Sequence, residues 1–221
     1  EIGLGRTDAD KRVALKELTQ TPIAVFNCPT RRRPAAYPLD SAHHWPPFNA
    51  EQSPVEARTD YAANAGDVLC DVSTGPPDLA TGDQPDYAWS PCQDVRFTGV
   101  SFRRSTVTVA DVRDGTSNTY LVGEKYLNAD DYTAGFSDNE SMYEGDDYGV
   151  LRYTWAQGSL PPRQDVPGVR NWQPFGSAHS AGCHFVFGDG SVRMIGYSID
   201  PEVHRRLGNR RDGVPIDASQ L

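Results

Sequence analysis

A histidine with two serine neighbours lies near the carboxyl end of the chain and is followed by an Asp-Gly pair. His179 stands between Ser177 and Ser180, and nine residues separate it from Asp189 and Gly190. A histidine can act as a general base, bind a metal ion or hold a loop by hydrogen bonds. Neither serine lies in the Gly-x-Ser-x-Gly turn that presents the nucleophile of many hydrolases. We therefore expect a structural histidine that hydrogen-bonds to the Asp189 turn.

Side chains that carry oxygen are concentrated in an acidic loop at residues 130–150. Hard cations such as Ca²⁺ take about six to eight oxygen ligands from carboxylates, amides and backbone carbonyls of flexible loops. The loop is not an EF-hand, because the Asp-x-Asp-x-Asp-Gly order and the closing Glu are missing. The loop is therefore a candidate calcium site, but a solvated loop rich in turns is favoured. The candidate ligands are Asp138, Asn139, Glu140, Asp146 and Asp147.

Two further polar motifs precede and enter a predicted strand at residues 119–126. Asp114, Gly115 and Asn118 are residues whose side chains or backbone favour turns. Glu124 lies among apolar residues of the strand itself. A carboxylate there either faces solvent or is buried with a partner, such as an arginine or a backbone donor. We expect structural roles for both motifs, no catalytic residue, and a protein that is not an enzyme.

The charge of the chain bears on its partners. The formal net charge is −9, which disfavours nucleic acid, since such binding needs basic surface that neutralises phosphates. The basic cluster Arg31-Arg32-Arg33 could hold a carboxylate or an anionic sugar, but a solvated loop is favoured. Aromatic side chains on predicted loops could form platforms for sugar rings, or they could pack against the sheet, which is favoured. They are Tyr37, Trp45, Phe48, Trp89, Trp155 and Trp172.

The elements that must position these residues are short. The sequence contains 20 Gly and 17 Pro, and only 38% of its residues are hydrophobic, which favours many turns and long ordered loops. We predict an α+β fold in which an antiparallel sheet carries a few short helices. The Asp-Gly pair predicts a two-residue hairpin turn. The predicted helices are 8–18 and 201–207, and the predicted strands are 23–27, 119–126, 153–156, 184–187 and 191–195.

The order of the motifs resembles a large group of bacterial pseudopilin-like proteins, which carry a prepilin-type processing signal and a carboxy-terminal H-X9-DG motif. A Cys-Pro segment comes first, an Asp-Gly-Thr-Ser-Asn segment with a following Val-Gly-Glu comes later, and the histidine motif comes last. The residues that match the motifs directly are Asp114, Gly115, Asn118, Glu124, His179, Asp189 and Gly190.

This resemblance implies a fold, a location and partners. Pseudopilins lay an antiparallel sheet against a long apolar first helix, which follows a basic leader. The chain opens at Glu1 without that helix, so we expect the intact protein to carry it and to be extracellular or held in the cell envelope, with no other contact to membrane. The expected partners are copies of the chain or other pilin-like subunits. Some pseudopilins carry calcium in a comparable loop, which favours the calcium prediction. A face of the sheet should be poorly covered without the helix.

The same resemblance implies the domain organisation. We expect residues 1–221 to form one pilin-like head, with a helical segment at 1–20 and the hairpin and terminal helix at 175–213. The leading function is a non-enzymatic surface or filament protein. A module that binds an extracellular glycan is the alternative, and a hydrolase is a weaker one, because it would need two carboxylates across a cleft.

Four cysteines complete the set of candidate residues. An even number of cysteines in an exported protein favours two disulfides, although three connectivities are possible. We predict that Cys70 pairs with Cys92, which would staple the loop-rich middle, and that Cys28 pairs with Cys183, which would tie the Cys-Pro segment to the hairpin. Free buried thiols are the alternative.

Overall fold

A computed structural model describes residues 7–39, 47, 49–70, 75–89, 96–135, 138–155 and 158–220. The helices are α1 (Asp8–Thr19), α2 (Leu79–Gly82) and α3 (Pro201–Gly208). The strands are β1 (Ala36–Pro38), β2 (Val55–Ala57), β3 (Tyr61–Gly66), β4 (Tyr120–Glu124), β5 (Leu151–Tyr153), β6 (Arg163–Gln164), β7 (Gly176–Ser177), β8 (Gly182–Phe187) and β9 (Val192–Gly196).

Five strands form the central sheet in the order β5-β3-β4-β8-β9. The β3–β4, β4–β8 and β8–β9 pairs are antiparallel, and the β3–β5 pair is parallel. Two small sheets flank it, β1–β2 and β6–β7. The predicted α+β class with a mainly antiparallel sheet is confirmed.

The inner face of the sheet packs against α3. Side chains alternate along a strand, and in β8 the buried residues Phe185 and Phe187 point to this face. The Phe185 ring stacks on Tyr120 of β4 with ring centroids 3.9 Å apart. Val203 and Leu207 of α3 close the same apolar cluster. This core holds β4 and β8 side by side.

The outer face of the sheet is the side that carries His184 and Val186 of β8 and Val192 and Met194 of β9. His184, Val192 and Met194 are exposed and Val186 is half-buried. Val192 keeps 63% and Met194 52% of its accessible surface. The expectation of a poorly covered apolar face therefore agrees with the structure.

Helices α1 and α3 and the pairing of the hairpin strands were predicted well, whereas α2 lies in a segment without a predicted element. Thr7 caps α1 by accepting a hydrogen bond from the Asp10 amide, and Asp200 caps α3 through the amides of Glu202 and Val203. β8 and β9 pair as expected, but their loop has three residues, because Phe187 and Ser191 still share a backbone hydrogen bond. Gly190 alone takes positive φ there, at +83°, whereas the predicted two-residue turn needs it at both central positions.

The predicted strand at residues 23–27 is wrong. Ala24–Phe26 forms a turn of 3₁₀ helix, in which the Phe26 and Asn27 amides bond back to Ile23 and Ala24. Val25 is 76% exposed. An apolar run without a partner strand satisfies its backbone locally instead. The strand predicted at 153–156 lies earlier, at β5.

A buried network of charges lies beside the apolar core, and it corrects the prediction of a solvated arginine loop. Arg31 pairs with Asp165 at 2.8 Å and Asp60 at 3.3 Å, and Arg32 pairs with Asp60 at 2.9 Å and Asp138 at 2.6 Å. Burial alone would lower the pKa of Arg31, but the carboxylates of Asp165 and Asp60 raise it above its ordinary value. The first two arginines are thus interior ion-pair partners.

Lys125 belongs to the same network. Its ammonium group is fully buried and bonds to the Asp138 carboxylate and the Gly149 carbonyl. Burial lowers the pKa of Lys125 to about 8, although Asp138 works in the opposite direction.

Among the residues that the structure describes, no helix combines the length and apolar character needed to cross a membrane.

Candidate functional site

An apolar groove of about 510 Å³ runs over the outer face of the sheet. Residues of β3, β4, β8 and β9 line it on the sheet, and residues between Val25 and Thr30 line it from the preceding turn. Val25 and Val192 remain mostly exposed. The apolar residues that line it are Val25, Phe26, Tyr61, Val122, Val186 and Val192, together with the backbone around Phe185.

Four chemically active side chains also line this groove. Cys28 Sγ lies 3.7 Å from His179 Nε2. The same Nε2 lies 3.3 Å from Glu124 Oε1. His184 Nδ1 lies 3.1 Å from the other oxygen of that carboxylate, Oε2. Ligand atoms of Cys28, Glu124 and His179 all lie within 4.8 Å of one another, and we call these three residues the Cys-His-Glu cluster.

The backbone of β8 fixes Glu124. The amide of His184 donates to Glu124 Oε2 at 2.7 Å, and the His184 ring contacts the same oxygen. Glu124 is only 1% exposed. Of the two alternatives for this carboxylate, the structure shows the buried one: a backbone amide donates to it, and its side-chain partners are histidines, not an arginine. With Oε2 held in this way, Oε1 is left to face His179.

Cys28 and His179 are held by other elements. The Cys28 amide donates to Asp60 Oδ2 at 2.7 Å, so the buried ion-pair network anchors the Cys-Pro segment. The His179 amide donates to Ser177 Oγ at 3.3 Å, and the Tyr197 hydroxyl donates to the His179 carbonyl at 2.7 Å. Three separate parts of the fold thus converge on one point.

The geometry differs from a nucleophile–base relay. In a Ser-His-Asp type of triad, one ring nitrogen of the histidine faces the nucleophile and the other faces the orienting acid. Here Nε2 of His179 faces both Cys28 Sγ and Glu124 Oε1. An arrangement in which sulfur, nitrogen and oxygen point at a shared centre suits the binding of a cation.

Sequence comparison places the chain in a family. Residues 4–202 match the model of a family described as "Protein of unknown function (DUF1559)". The chain belongs to this family. A search of the curated proteins found no match, and a search of the solved structures found none. Membership bears out the resemblance to a domain family of unknown function.

Two sequence predictions about the site of this DUF1559 chain are wrong. His179 does not bond to the Asp189 turn, because its ring faces the groove; Asp189 accepts instead from the amide and hydroxyl of Ser191. Cys28 and Cys183 are both free and buried. Cys183 belongs to the inner-face core and Cys28 lines the outer-face groove, so the sheet lies between the two thiols.

Sequence reasoning missed Cys28 and His184 as members of the site. Cys28 lies 151 positions from His179, and only the sheet topology brings the two side chains together. The one local signal was the alternation of β8, which placed His184 on the face opposite Phe185.

Cys92 lies outside the described residues, so its pairing with Cys70 stays a prediction.

The five calcium candidates do not form one site. Asp138 is an ion-pair partner of Arg32 and Lys125, and Asp146 pairs with Arg103 at 2.6 Å. Burial alone would raise the pKa of Asp138, but Arg32 and Lys125 more than offset this and lower it below its usual range. Both carboxylates already have cationic partners, which a calcium ion would have to displace. Asn139 is half-buried beside them in sequence.

The other two candidates do converge, together with a residue that was not predicted. Carboxylate oxygens of Glu140, Glu144 and Asp147 lie within 4.8 Å of one another. Burial raises the pKa of Glu140, and a hydrogen bond with Asp147 adds to the rise. Burial, Asp147 and Glu56 raise the pKa of Glu144 to about 8. Calcium binding in this loop stays a prediction, now centred on these three carboxylates.

The remaining motif residues build turns, as expected. Gly115 has φ of +94°, and Asn118 donates to the Asp114 carbonyl at 3.2 Å. The Asp114 carboxylate accepts from the amides of Asp212 and Gly213 at 2.6 and 2.9 Å. The segment therefore joins the loop before β4 to the carboxyl-terminal region.

The aromatic candidates are dispersed. Tyr37 is buried, and Trp89 lies under the Arg104 guanidinium, 4.7 Å from the ring centroid. Trp172 meets Tyr148 edge to face, and Trp155 is half-buried. Trp45 and Phe48 lie outside the described residues. Among the described residues, Trp89 lines a second cavity of about 560 Å³ with Phe102 and Arg103. Glycan binding stays a prediction.

Proposed function

We propose that this chain is the head of a non-enzymatic, pilin-like envelope protein, and that its apolar groove packs against an apolar α-helix. The observation that carries the proposal is the pair of apolar faces on one sheet. The inner face has α3 as its cover, and the outer face presents Val122, Val186 and Val192 in an open groove.

An antiparallel sheet with one face in water normally alternates apolar and polar side chains. In β9, Met194 and Val192 point outward and are more than half exposed, so the alternation is broken on the side where water would favour polar groups. Contiguous apolar surface of this kind marks a contact site. A second packed layer would bury it, as layers do in most domains.

A helix is the occupant that fits this face best. A helix with an apolar stripe is the usual partner of an apolar sheet face, and the motif order resembles proteins that lay their first helix against such a sheet. Copies of the chain or other pilin-like subunits would contribute helices in a filament.

Photo-crosslinking in the source cells tests the proposal. A photoreactive residue is placed at Val192 of the intact gene product, and a matched one at Val109. Both valines are largely exposed, at 63% and 76%, but Val109 lies outside the groove. We expect crosslinks from position 192, and few from 109, to an apolar helical segment of the same chain or of a pilin-like subunit.

Two further readouts accompany the crosslinks. Mass spectrometry of the native amino terminus should find a processed, methylated apolar residue, and fractionation should place the protein in the envelope. A protein that remains in the cytosol, or that yields the same products from both positions, would contradict the proposal.

A further inference from the structure

We propose that Cys28, His179 and Glu124 form a binding site for a zinc-class transition metal ion, with an open coordination position toward the groove. The site lies in the apolar groove but requires no envelope location or helix. It combines one sulfur, one imidazole nitrogen and one carboxylate oxygen, which are the donors that Zn²⁺ takes in proteins.

The spacing of the donors fits a tetrahedral ion. An ion about 2.3 Å from sulfur and about 2.0 Å from nitrogen and oxygen places sulfur about 3.5 Å from nitrogen, and nitrogen about 3.3 Å from oxygen. The Sγ–Nε2 distance is 3.7 Å and the Nε2–Oε1 distance is 3.3 Å. Two donor–donor distances therefore match the edges of such a tetrahedron, and the third pair, Cys28 Sγ and a Glu124 oxygen, lies within 4.8 Å.

Burial and charge favour a cation at this point. Cys28 and Glu124 are 3% and 1% exposed. A buried carboxylate is costly without a positive partner, and among the described residues no lysine or arginine lies within ion-pair distance of Glu124; its ion-pair contacts are the two histidines. A divalent ion bound to the Cys28 thiolate and the Glu124 carboxylate would be neutralised, and the thiol proton would leave to solvent.

His184 acts as a positioning residue. It holds Oε2 of Glu124 by its amide and its ring, in the manner of the outer-shell groups that orient metal ligands. The sulfur donor selects zinc-class ions over Ca²⁺ or Mg²⁺. The fourth position faces the groove, where a water molecule or a donor atom from the groove's occupant completes the shell. Three protein ligands with an open position are typical of zinc sites that bind a further group.

Cobalt spectroscopy of the 221-residue chain tests the site. Co²⁺ alone is titrated into the reduced protein and then displaced by Zn²⁺. We expect one ion per chain, visible bands of a tetrahedral complex and a thiolate-to-cobalt charge-transfer band. Zinc K-edge absorption should count one sulfur ligand. Absence of these signals in the parent protein would overturn the proposal.

Variants assign the ligands. Cys28→Ser should abolish the charge-transfer band, and His179→Gln should abolish tetrahedral binding. His184→Gln should weaken zinc affinity about 10- to 100-fold, as loss of an outer-shell partner does, while the sulfur ligand remains. Cys183→Ala, which removes the other free thiol, and Glu144→Gln, which alters the acidic cluster, should bind as the parent does. Persistence of the band in Cys28→Ser, or its loss in Cys183→Ala, would contradict the assignment.

Circular dichroism of the metal-free proteins shows whether each variant is folded. Cys28 is buried, so its variant is scored only where the far-ultraviolet spectrum matches the parent. If it does not, His179→Gln decides, because the His179 side chain is 29% exposed and its loss leaves no core cavity. Folded His179→Gln with unchanged zinc affinity would overturn the proposal.

Discussion

Asp138 shows how single residues organise the interior. Its carboxylate lies between Arg32 and Lys125, and all three side chains are almost fully buried. Charges taken out of water are stable only when each has a partner. Asp138 is therefore a structural member of the fold, although the composition of its loop and the family resemblance had made it a candidate calcium ligand.

Replacement of Asp138 tests this role. Asp138→Asn leaves the two cations without their shared carboxylate, and removal of one member of a buried pair costs about 3–5 kcal/mol. We expect that loss in urea unfolding. Asp8→Asn is the control, because Asp8 is 98% exposed in its pair with Lys11, and exposed pairs contribute about 0–1 kcal/mol. Equal effects of the two variants would contradict the role.

Glu144 gives the acidic loop a pH dependence. Its pKa is about 8 in the folded chain and about 4.5 ordinarily, so the folded state retains a proton that the unfolded state loses between these values. The free energy of unfolding should therefore fall as pH rises from about 4.5 to about 8. Glu144→Gln should flatten this slope and stabilise the protein by roughly 1–3 kcal/mol at pH 8.

Urea unfolding at several pH values, with Glu17→Gln as the control, measures this slope. Glu17 lies on α1, outside the three-carboxylate cluster. The same titration with calcium tests the predicted cation site, because a bound Ca²⁺ would keep the carboxylates ionised and remove the slope. Stability that rises between pH 4.5 and 8, with the variant unchanged, would contradict the assignment.

Residue roles were only partly predictable. Glu124 and His179 stood out as motif residues, but the apolar neighbours of Glu124 left both burial and exposure to solvent open. Arg31 and Arg32 were expected in solvent, because a basic run gives no sign of the acids that meet it. Asp165 lies 134 positions from Arg31, and such pairings depend on topology.

At the scale of elements, the local sequence was sufficient to predict a helix or hairpin where it contained residues that mark the element's start or turn. Capping residues marked α1 and α3, and the glycine after Asp189 marked the hairpin. The apolar run at 23–27 had no such signal for a strand partner, and its backbone closed into a 3₁₀ turn. Strand pairing is decided by long-range contacts that short windows do not contain.

Gly123 shows what holds β4 and β8 together. A Cβ atom at this position would lie 2.5 Å from the Phe185 ring and 2.7 Å from the Phe175 ring. Gly123→Ala should overpack the core and cost about 1–3 kcal/mol. Gly145→Ala is the control, because nothing lies within 4 Å of its Cβ, and we expect less than about 0.5 kcal/mol. Thermal unfolding compares them; equal melting temperatures would contradict the close approach.

At the scale of the molecule, the α+β class and the open apolar face followed from composition and resemblance. The position of the groove beside a buried Cys-His-Glu cluster did not, because it depends on how the turn at residues 23–30 folds back on the sheet. The position of this groove therefore depends on loops whose sequences show little hydrophobic periodicity.

The open face should bind apolar dyes in the isolated chain. The dye 8-anilinonaphthalene-1-sulfonate fluoresces on exposed apolar surface. Val192→Lys places a charge in the groove wall and should lower the fluorescence roughly twofold. Val109→Lys changes a valine that is also largely exposed but lies outside the groove, and it should leave the fluorescence unchanged. Equal loss in both variants would show that the dye binds elsewhere.

The buried charges have a consequence for calorimetry. Exposure of apolar surface raises the heat capacity on unfolding, and exposure of polar surface lowers it. We expect a heat-capacity increment below the usual range of about 12–15 cal/mol/K per residue, and so a broad, shallow dependence of stability on temperature. The interior ionisable residues responsible are Arg31, Arg32, Glu56, Arg58, Asp60, Glu124, Lys125, Asp138, Glu140, Arg152, Asp165 and Arg210. Differential scanning calorimetry measures the increment, and a value within the usual range would count against this account.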